Sequence, residues 1–318
     1  MRLIKYILVS LWLAGVLLPG LAAEPQTASV PATAGIEATP AHAEAEGLPP
    51  GAPRLGANGS SFITNSMVET WAVAVGLIIF VQVATRKMKL VPIGAQNFLE
   101  WLVESLHDFL ESIIGTKLVE KTFWFFASVF IFILFTNWCG LIPGIGTIGW
   151  GTHTKEGFEV TTPLLRGGNA DLNMTFAMAM IFFVCWIVWA FQAQGVKGMF
   201  LELFGPKGDT TGALKLLMIV VFFLVGFLEV LSILFRPISL SFRLYGNIFA
   251  GENMLDAMSN LIKQPAWAKA IGSAVIPVPF YFMELLVGVV QALVFMLLTA
   301  VFTMLICVHE EKPGGTTH

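Results

Sequence analysis

Charged residues are scarce in this chain of 318 residues. Asp, Glu, Lys and Arg together make up 12% of the sequence, whereas 56% is hydrophobic and the mean hydropathy is +0.78. In water-soluble chains about a quarter of the residues are charged, so this composition excludes a soluble enzyme. We predict an integral membrane protein.

Basic surface and paired cysteines are also lacking. The net charge of -3 leaves no excess of cations to neutralise phosphates, so we expect no nucleic-acid partner. The three cysteines stand singly in apolar stretches, which supports neither a disulfide framework nor a zinc site. No glycine-rich phosphate-binding loop is present. We therefore expect no cofactor or metal, and nucleotide chemistry would belong to partner chains.

The N-terminus has the pattern of a cleaved signal peptide at residues 1–23. Arg2 and Lys5 precede an apolar run at residues 6–18, which is shorter than the roughly 20 residues that span a bilayer. An uncleaved first membrane helix is the alternative. Residues 24–60 are rich in Ala, Pro, Thr, Glu and Gly, and are predicted to form a disordered extracytoplasmic tail.

A membrane domain is predicted for residues 61–312, followed by a C-terminal tail at 313–318. Long apolar runs predict the first three spans, at about residues 67–85, 122–142 and 173–192. The basic residues Arg86, Lys87 and Lys89 place the end of the first span in the cytoplasm. An outside loop is predicted at residues 144–168.

Residues 95–114 have helical periodicity with apolar side chains along one face and carboxylates elsewhere. We predict an amphipathic helix that lies on the cytoplasmic membrane surface.

The apolar stretch at residues 213–262 is too long for a simple span. As one helix it would measure about 75 Å, more than twice the roughly 30 Å of hydrocarbon. It is either two spans broken near Pro237 or Gly246, or one strongly tilted helix. With the last span at residues 280–307, the first option gives six spans and the second gives five. Lys263 and Lys269 slightly favour the first option, while the charges that follow the last span, at residues 309–312, are ambiguous.

Polar residues at membrane depth concentrate in the last third of the chain, while the first three predicted spans are nearly free of internal charge. Each acid or base at the bilayer centre costs about 2.5 to 3.5 kcal/mol, so a group of them indicates an ion pathway. The deep charged residues are Glu229, Arg236, Arg243, Glu252 and Glu284.

Helical spacing sorts these residues into two stripes. Glu229, Arg236 and Arg243 are spaced by seven and share one face with Asn247, while Glu252 points to the opposite side.

In the last span Glu284 and Gln291 are also seven apart and form a second stripe. The two stripes could face each other.

Arg243 needs a counter-charge. An arginine stays protonated at any ordinary pH, so it suits a barrier between two partial proton pathways better than a proton wire. Glu252 lies about 13 Å away along the axis and on the wrong face, so we infer a carboxylate from another chain. Alternatively, Arg243 reaches the membrane surface, and Glu252 and Glu284 pair with each other.

The stretch at residues 239–252 reads SLSFRLYGNIFAGE and resembles the signature of the a subunit of F-type rotary ATP synthases. The resemblance covers roughly residues 60 to 310. Supporting segments are ITNS at 63–66, VP at 91–92 with QNFLE at 96–100, TN at 136–137 with GLIP at 140–143, DLNMT at 171–175 and GVKG at 195–198.

The resemblance implies a role for each deep polar residue. Arg243 would be the family's essential arginine, which faces the carboxylates of a rotating c ring and prevents a short circuit between two half-channels. The polar lining towards the extracytoplasmic side would comprise Asn247, Glu252, Glu284 and Gln291. The cytoplasmic exit would comprise Glu229 and Ser232.

The resemblance also implies five spans, the last two forming a long tilted hairpin along the ring, with a cytoplasmic C-terminus. Gly246, Ala250 and Gly251 would allow a close approach to the ring. Some relatives carry a histidine where this chain has Glu284, and since no histidine lies in a predicted span, a histidine relay is excluded.

The implied chain is not an enzyme by itself. Its partners would be the c ring, b-type peripheral-stalk subunits, the rest of the F-type ATP synthase and membrane lipid, in a bacterial inner membrane. A secondary cation transporter would show inverted repeats and paired broken helices, which the sequence lacks. A passive membrane anchor would leave the buried Arg and Glu residues unexplained.

Overall fold

The protein is described here from a computed structural model that covers residues 51–55, 63–145, 148–154, 157–205, 213–262 and 266–307. The predicted signal peptide, most of the predicted tail at 24–60 and the C-terminal tail at 313–318 lie outside these residues. Within them the elements are α1 (Asn65–Thr85), α2 (Ala95–Ile114), α3 (Thr116–Gly140), β1 (Gly149–Thr154), β2 (Gly157–Pro163), a 3-10 helix (Gly168–Ala170), α4 (Leu172–Phe204), α5 (Ala213–Ser259), α6 (Ala266–Val275) and α7 (Val278–Cys307).

Five of these helices, α1, α3, α4, α5 and α7, are long and apolar enough to cross a membrane. The all-α membrane fold with five spans is therefore confirmed. α5 continues as one helix of 47 residues through Pro237, so the alternative of two broken spans is wrong. Its length of about 70 Å exceeds the bilayer thickness, and the helix must tilt to remain in the membrane.

Two elements were not predicted from the sequence. The short helix α6 lies between α5 and α7, where a simple turn was expected. In the predicted outside loop, β1 and β2 pair as an antiparallel hairpin with an irregularity between Trp150 and Gly151. Nearby, at the end of the predicted tail, Arg54 forms an isolated antiparallel bridge with Thr64.

α3 forms the centre of the bundle. In its most apolar stretch 72% of the residues are buried, against 11% in α5. Phe125 and Phe126 of α3 pack on Trp189 of α4, with ring centroids 5.5 and 5.8 Å apart. Lipid is as apolar as these side chains, so close packing rather than water exclusion holds the helices together.

Hydrogen bonds from buried polar side chains join α4 to α7. Trp186 Nε1 donates to the Phe302 carbonyl at 3.1 Å, and Gln194 Nε2 donates to the Ile306 carbonyl at 2.7 Å. Such bonds satisfy donors that would otherwise face hydrocarbon. Hydroxyls within the spans instead bond a carbonyl four residues back in their own helix, as at Thr122, Ser128, Thr136, Thr299 and Thr303.

The predicted helix at 95–114 forms as α2, with Leu106 and Leu110 buried. Phe98 and Phe109, which the pattern placed on the same face, are 46% and 38% exposed. A groove of about 500 Å³ lies between α1, α2 and α3.

α4 bends at Gly195, whose φ of 69° and ψ of 166° are non-helical. This backbone region is open almost only to glycine. No atom lies within 4 Å of the position where a Cβ would stand, so the restriction comes from the backbone itself and not from neighbours.

We expect Gly195→Ala to destabilise the fold by about 1–3 kcal/mol, because alanine must either adopt the strained backbone or straighten the bend. Gly76→Ala is the matched control: Gly76 is an exposed, regularly helical glycine of α1, also without neighbours. Thermal unfolding in detergent compares the two. An equal midpoint for both variants would show that the bend at Gly195 is not a requirement of the fold.

Candidate functional site

Arg243 lies on an exposed face of α5, with Asn247 one turn later on the same face. Among the residues that the structure describes, the Arg243 guanidinium has no hydrogen-bond or ion-pair partner. The side chains around it are large and apolar, such as Phe242, which is 56% exposed. A permanent cation thus stands on the apolar surface of a membrane helix.

The exposed surfaces of α5 and α7 are apolar. On α5 the exposed side chains include Leu231, Phe235 and Ile238, and on α7 they include Phe282 and Leu286. We call this surface the α5–α7 face. Nothing else in the described chain covers it, so it faces lipid or another chain.

The three residues spaced by seven do not share one environment. Glu229 is exposed on α5 and so is Ser232. Arg236 is instead half-buried, with its guanidinium over the rings of Phe302 at 4.6 Å and Trp186 at 5.7 Å. The three residues lie along one side of the continuous helix α5, but Arg236 alone is covered by neighbouring helices through cation–π contacts.

Glu252 forms an ion pair with Arg166, a residue of the segment between β2 and α4. Arg166 Nε lies 3.3 Å from Glu252 Oε2, and the two side chains are 7% and 16% exposed. Arg166 also donates from Nη1 to the Gly51 carbonyl at 3.2 Å. Glu252 thus has its own cation, which excludes it as the counter-charge of Arg243 and removes the suggestion that it pairs only with Glu284.

Glu284 of α7 is 4% exposed and lies against Gly251 of α5. A Cβ at residue 251 would overlap the Glu284 carboxyl, so Gly251 provides room for this acid rather than for a ring helix. Glu252 and Glu284 line one small cavity together with Asn137 and Asn169. The structure therefore brings Glu284 together with Glu252, which lies on the opposite side of α5 from the predicted stripe, and not with Arg243 and Asn247.

Asn247 and Gln291 are not in this cavity. Asn247 is exposed on the α5–α7 face, and Gln291 is half-buried about 10 Å along α7 from Glu284.

Sequence reasoning missed four residues around the cavity. Asn169 donates to Asn137 Oδ1 at 2.7 Å, and Asn137 donates to the Gly288 carbonyl at 3.1 Å, which links three elements. Arg166 stands in a loop without periodicity. Glu69 of α1 is 2% exposed, so the first span does contain a deeply buried acidic residue. The sequence signal for it was a single acidic residue inside an apolar run.

One group of side chains in the described chain could hold a metal ion. His107, Asp108 and Glu111 lie on α2, where the His107 ring is 3.7 Å from the Asp108 carboxylate and 3.6 Å from that of Glu111. They lie on the outer part of an amphipathic helix, and such exposed acidic groups are common without an ion.

The family model described as the ATP synthase A chain matches residues 67–304. The chain belongs to this family. The match includes Arg243, both cavity carboxyls and all five membrane helices except the first residues of α1 and the last of α7. The multi-pass membrane fold and the family agree.

Curated relatives support this membership. A protein of Gloeobacter violaceus named ATP synthase subunit a is 32% identical over 235 residues, 74% of this chain and 80% of the relative. A Mycobacterium bovis protein with the same name is 31% identical over 67% of this chain and 73% of the relative. For an Anaeromyxobacter dehalogenans relative the identity is 30%, and the chain spans 60% of its length.

The Arg166–Glu252 pair predicts a strong coupling between two residues of this family member. Arg166→Met leaves a largely buried carboxylate without its cation, which we expect to cost about 3–5 kcal/mol of stability. Adding Glu252→Gln removes that charge and should restore part of the loss. Thermal unfolding of the two single variants and the double variant in detergent gives the coupling energy. Strictly additive effects would show that the two side chains do not stabilise each other.

Proposed function

We propose that this chain is the stator subunit of a rotary F-type ATP synthase. It conducts protons through two offset half-channels to and from the carboxylates of a rotating c ring, and so couples ion flow to ATP synthesis or hydrolysis. The observation that carries the proposal is Arg243, a cation without a partner in the described chain, on the exposed apolar α5–α7 face. The chain alone is not a catalyst, since nucleotide chemistry belongs to partner chains.

The α5–α7 face is the surface on which the ring turns. A lipid neighbour would leave the Arg243 charge in hydrocarbon at a cost of several kcal/mol. A ring carboxylate supplies the missing counter-charge, and the surrounding apolar side chains allow ring helices to slide past. Arg243 stays ionised at any ordinary pH, so it blocks direct proton passage between the two half-channels.

The outer half-channel consists of the Glu252–Glu284 cavity, with Asn247 and Gln291 leading from it towards the ring. Its side of the membrane follows from α1. Arg86, Lys87 and Lys89 follow the C-terminal end of α1 and favour the cytoplasm. The cavity lies near the opposite end, where Ser66 donates to Asp171 at 2.7 Å.

The inner half-channel consists of Glu229 and Ser232. Along α5, Glu229 lies about 35 Å from Glu252 and about 21 Å from Arg243. The two groups of polar residues are therefore at different depths with Arg243 between them. This offset forces a proton to ride on the ring between the two half-channels.

A proton from the extracytoplasmic side passes through the outer cavity to a ring carboxylate and neutralises it. The neutral site then moves into lipid as the ring turns. After nearly one turn it approaches Arg243, whose charge favours the ionised carboxylate. The proton is released past Glu229, and the turning ring drives the partner subunits.

The proposal also implies the partner subunits of this chain and its orientation in the membrane. The partners are the c ring, b-type peripheral-stalk subunits and the remaining ATP synthase subunits, with membrane lipid around them. The protein crosses a bacterial inner membrane five times, with its N-terminus extracytoplasmic and its C-terminus cytoplasmic.

Arg243→Ala and Arg243→Lys should both abolish ATP-driven acidification of inverted membrane vesicles. Lysine should not rescue, because it lacks the planar guanidinium and can lose its proton when desolvated. Co-purification of the ring verifies assembly. Asp256→Asn, which removes an exposed charge on the same helix, is the control and should pump normally. Wild-type pumping in Arg243→Lys would count against the proposal.

Glu284→Gln should slow proton conduction while the complex still assembles, because glutamine fits beside Gly251 but cannot exchange a proton at neutral pH. Glu120→Gln, at an exposed carboxyl of α3, is the control. The two variants are compared by measuring passive proton flux through membranes stripped of the soluble sector. Unchanged flux in Glu284→Gln would remove this residue from the path.

A further inference from the structure

Glu69 is the most deeply buried carboxyl in the described chain, with 2% of its surface exposed. It lies in the second turn of α1, a helix that otherwise faces its neighbours with apolar and hydroxyl side chains. The resemblance in the sequence and the proposed half-channels leave it without a role. A carboxyl at such a position costs several kcal/mol unless something compensates for it.

The compensation that the structure offers is incomplete. Glu69 Oε2 accepts a hydrogen bond from the Gly168 amide at 2.9 Å. Glu69 Oε1 is buried and has no hydrogen-bond partner in the described chain. An ionised carboxylate needs acceptor bonds at both oxygens, whereas a protonated carboxyl accepts at one and donates from the other. The amide on Oε2 suits both forms, and the open Oε1 is the atom where a proton can be gained or lost.

Two consecutive glycines connect Glu69 to the outer cavity. A Cβ at Gly168 would lie 2.8 Å from Glu69 Oε2, and a Cβ at Gly167 would lie 2.9 Å from Glu252 Oε1. The Gly168 amide donates a hydrogen bond to Glu69, and Gly167 lies directly against the Glu252 carboxyl. The two carboxyls therefore lie on either side of one dipeptide, near enough to interact electrostatically.

These contacts make a row of three carboxyls across the bundle. Glu69 of α1 is followed by Glu252 of α5, and Glu252 shares its cavity with Glu284 of α7. A second titratable group of a neighbouring helix, the Cys139 thiol of α3, lies near enough to be influenced by the Glu69 charge. Glu69 lies near the end of α1 that the proposed function assigns to the extracytoplasmic side.

We propose that Glu69 is a further proton-carrying residue of the outer half-channel, at its extracytoplasmic end and before Glu252. This inference rests on the proposed function. A hydronium ion transfers a proton to Glu69 Oε1, so that one of its O–H bonds breaks, an O–H bond forms at Oε1 and a water molecule is left. Release of that proton towards Glu252 restores the Glu69 carboxylate. No electrons are transferred, and no co-reactant other than hydronium and water takes part.

The test uses the assembled ATP synthase in membrane vesicles, with Glu69→Gln as the variant. Glutamine keeps a carbonyl acceptor for the Gly168 amide but cannot carry the proton. The measurement is passive proton flux through membranes stripped of the soluble sector. A potassium diffusion potential drives the flux, which is measured at several pH values on the extracytoplasmic side. We expect a loss of roughly a hundredfold, at the low end of what removal of a positioned proton-transfer group costs.

Thr70→Val is the matched control. Thr70 is the next residue, is fully buried, and donates to the Ser66 carbonyl at 2.8 Å, but it cannot titrate. We expect normal flux and a normal pH profile for this variant. Wild-type flux in Glu69→Gln, or an equal loss in Thr70→Val, would overturn the inference in favour of a purely structural role.

If Glu69→Gln does not assemble, Glu69→Asp replaces it, because aspartate keeps the carboxyl but withdraws it from Gly168. The expected result is slower flux with a displaced pH profile, and an unchanged profile would overturn the inference. Arg243→Ala is measured alongside. Loss of coupling in Arg243→Ala with normal Glu69→Gln would refute only the role of Glu69, whereas retained coupling in Arg243→Ala would refute the proposed function itself.

Discussion

The ion pair between Arg166 and Glu252 anchors the segment on which the outer half of the bundle depends. This segment, residues 164–171, has no regular structure beyond a short 3-10 helix. It is held by polar contacts to almost every long helix. Besides the ion pair to α5, its Gly168 amide bonds α1, its Asn169 bonds α3, and its Asp171 caps α4 through the Asn173 amide. Because these groups are buried, each contact also satisfies an atom that could not reach water.

The protein treats its charges in two opposite ways. Near the cavity, Glu252 is enclosed and paired with Arg166 within the chain, and α3 and the polar segment leave little room around it. On the α5–α7 face, Arg243 is left uncompensated among apolar side chains. Arg236 shows that the fold can compensate an arginine of the same helix, since two aromatic rings cover it. The open position of Arg243 is therefore a specific feature and not a general property of arginines in α5.

The sequence alone predicts the membrane class, the first three spans, the amphipathic helix and the importance of Arg243. It does not decide between five and six spans, because a stretch of 50 apolar residues has two physical solutions, and only the resemblance to a family favoured five. Glu229, Arg236 and Arg243 do not share one environment because Trp186 of α4 and Phe302 of α7 cover the middle residue, and spacing along α5 does not show at which depth these neighbours pack.

The contacts of Arg166 and Glu69 near the cavity escaped prediction for a different reason. Arg166 and Glu252 are 86 positions apart, and no periodic pattern connects a loop arginine with a helix carboxyl. Glu69 was visible as a lone acid in an apolar run, but its burial arises only when the glycine-rich segment folds over it. Hydrophobic periodicity reports on single elements, whereas these contacts depend on how five elements meet.

The three glycines beside the carboxyls have a consequence for how this site can vary between proteins. Gly167, Gly168 and Gly251 each occupy a position where one methyl group would take the volume of a glutamate carboxyl. A larger side chain in place of each glycine would thus require a shorter acidic side chain beside it. A relative with a shorter acid at residue 284 has space for alanine at residue 251, and one with alanine there cannot retain the same glutamate position. The two residues of each pair are therefore expected to change together between relatives.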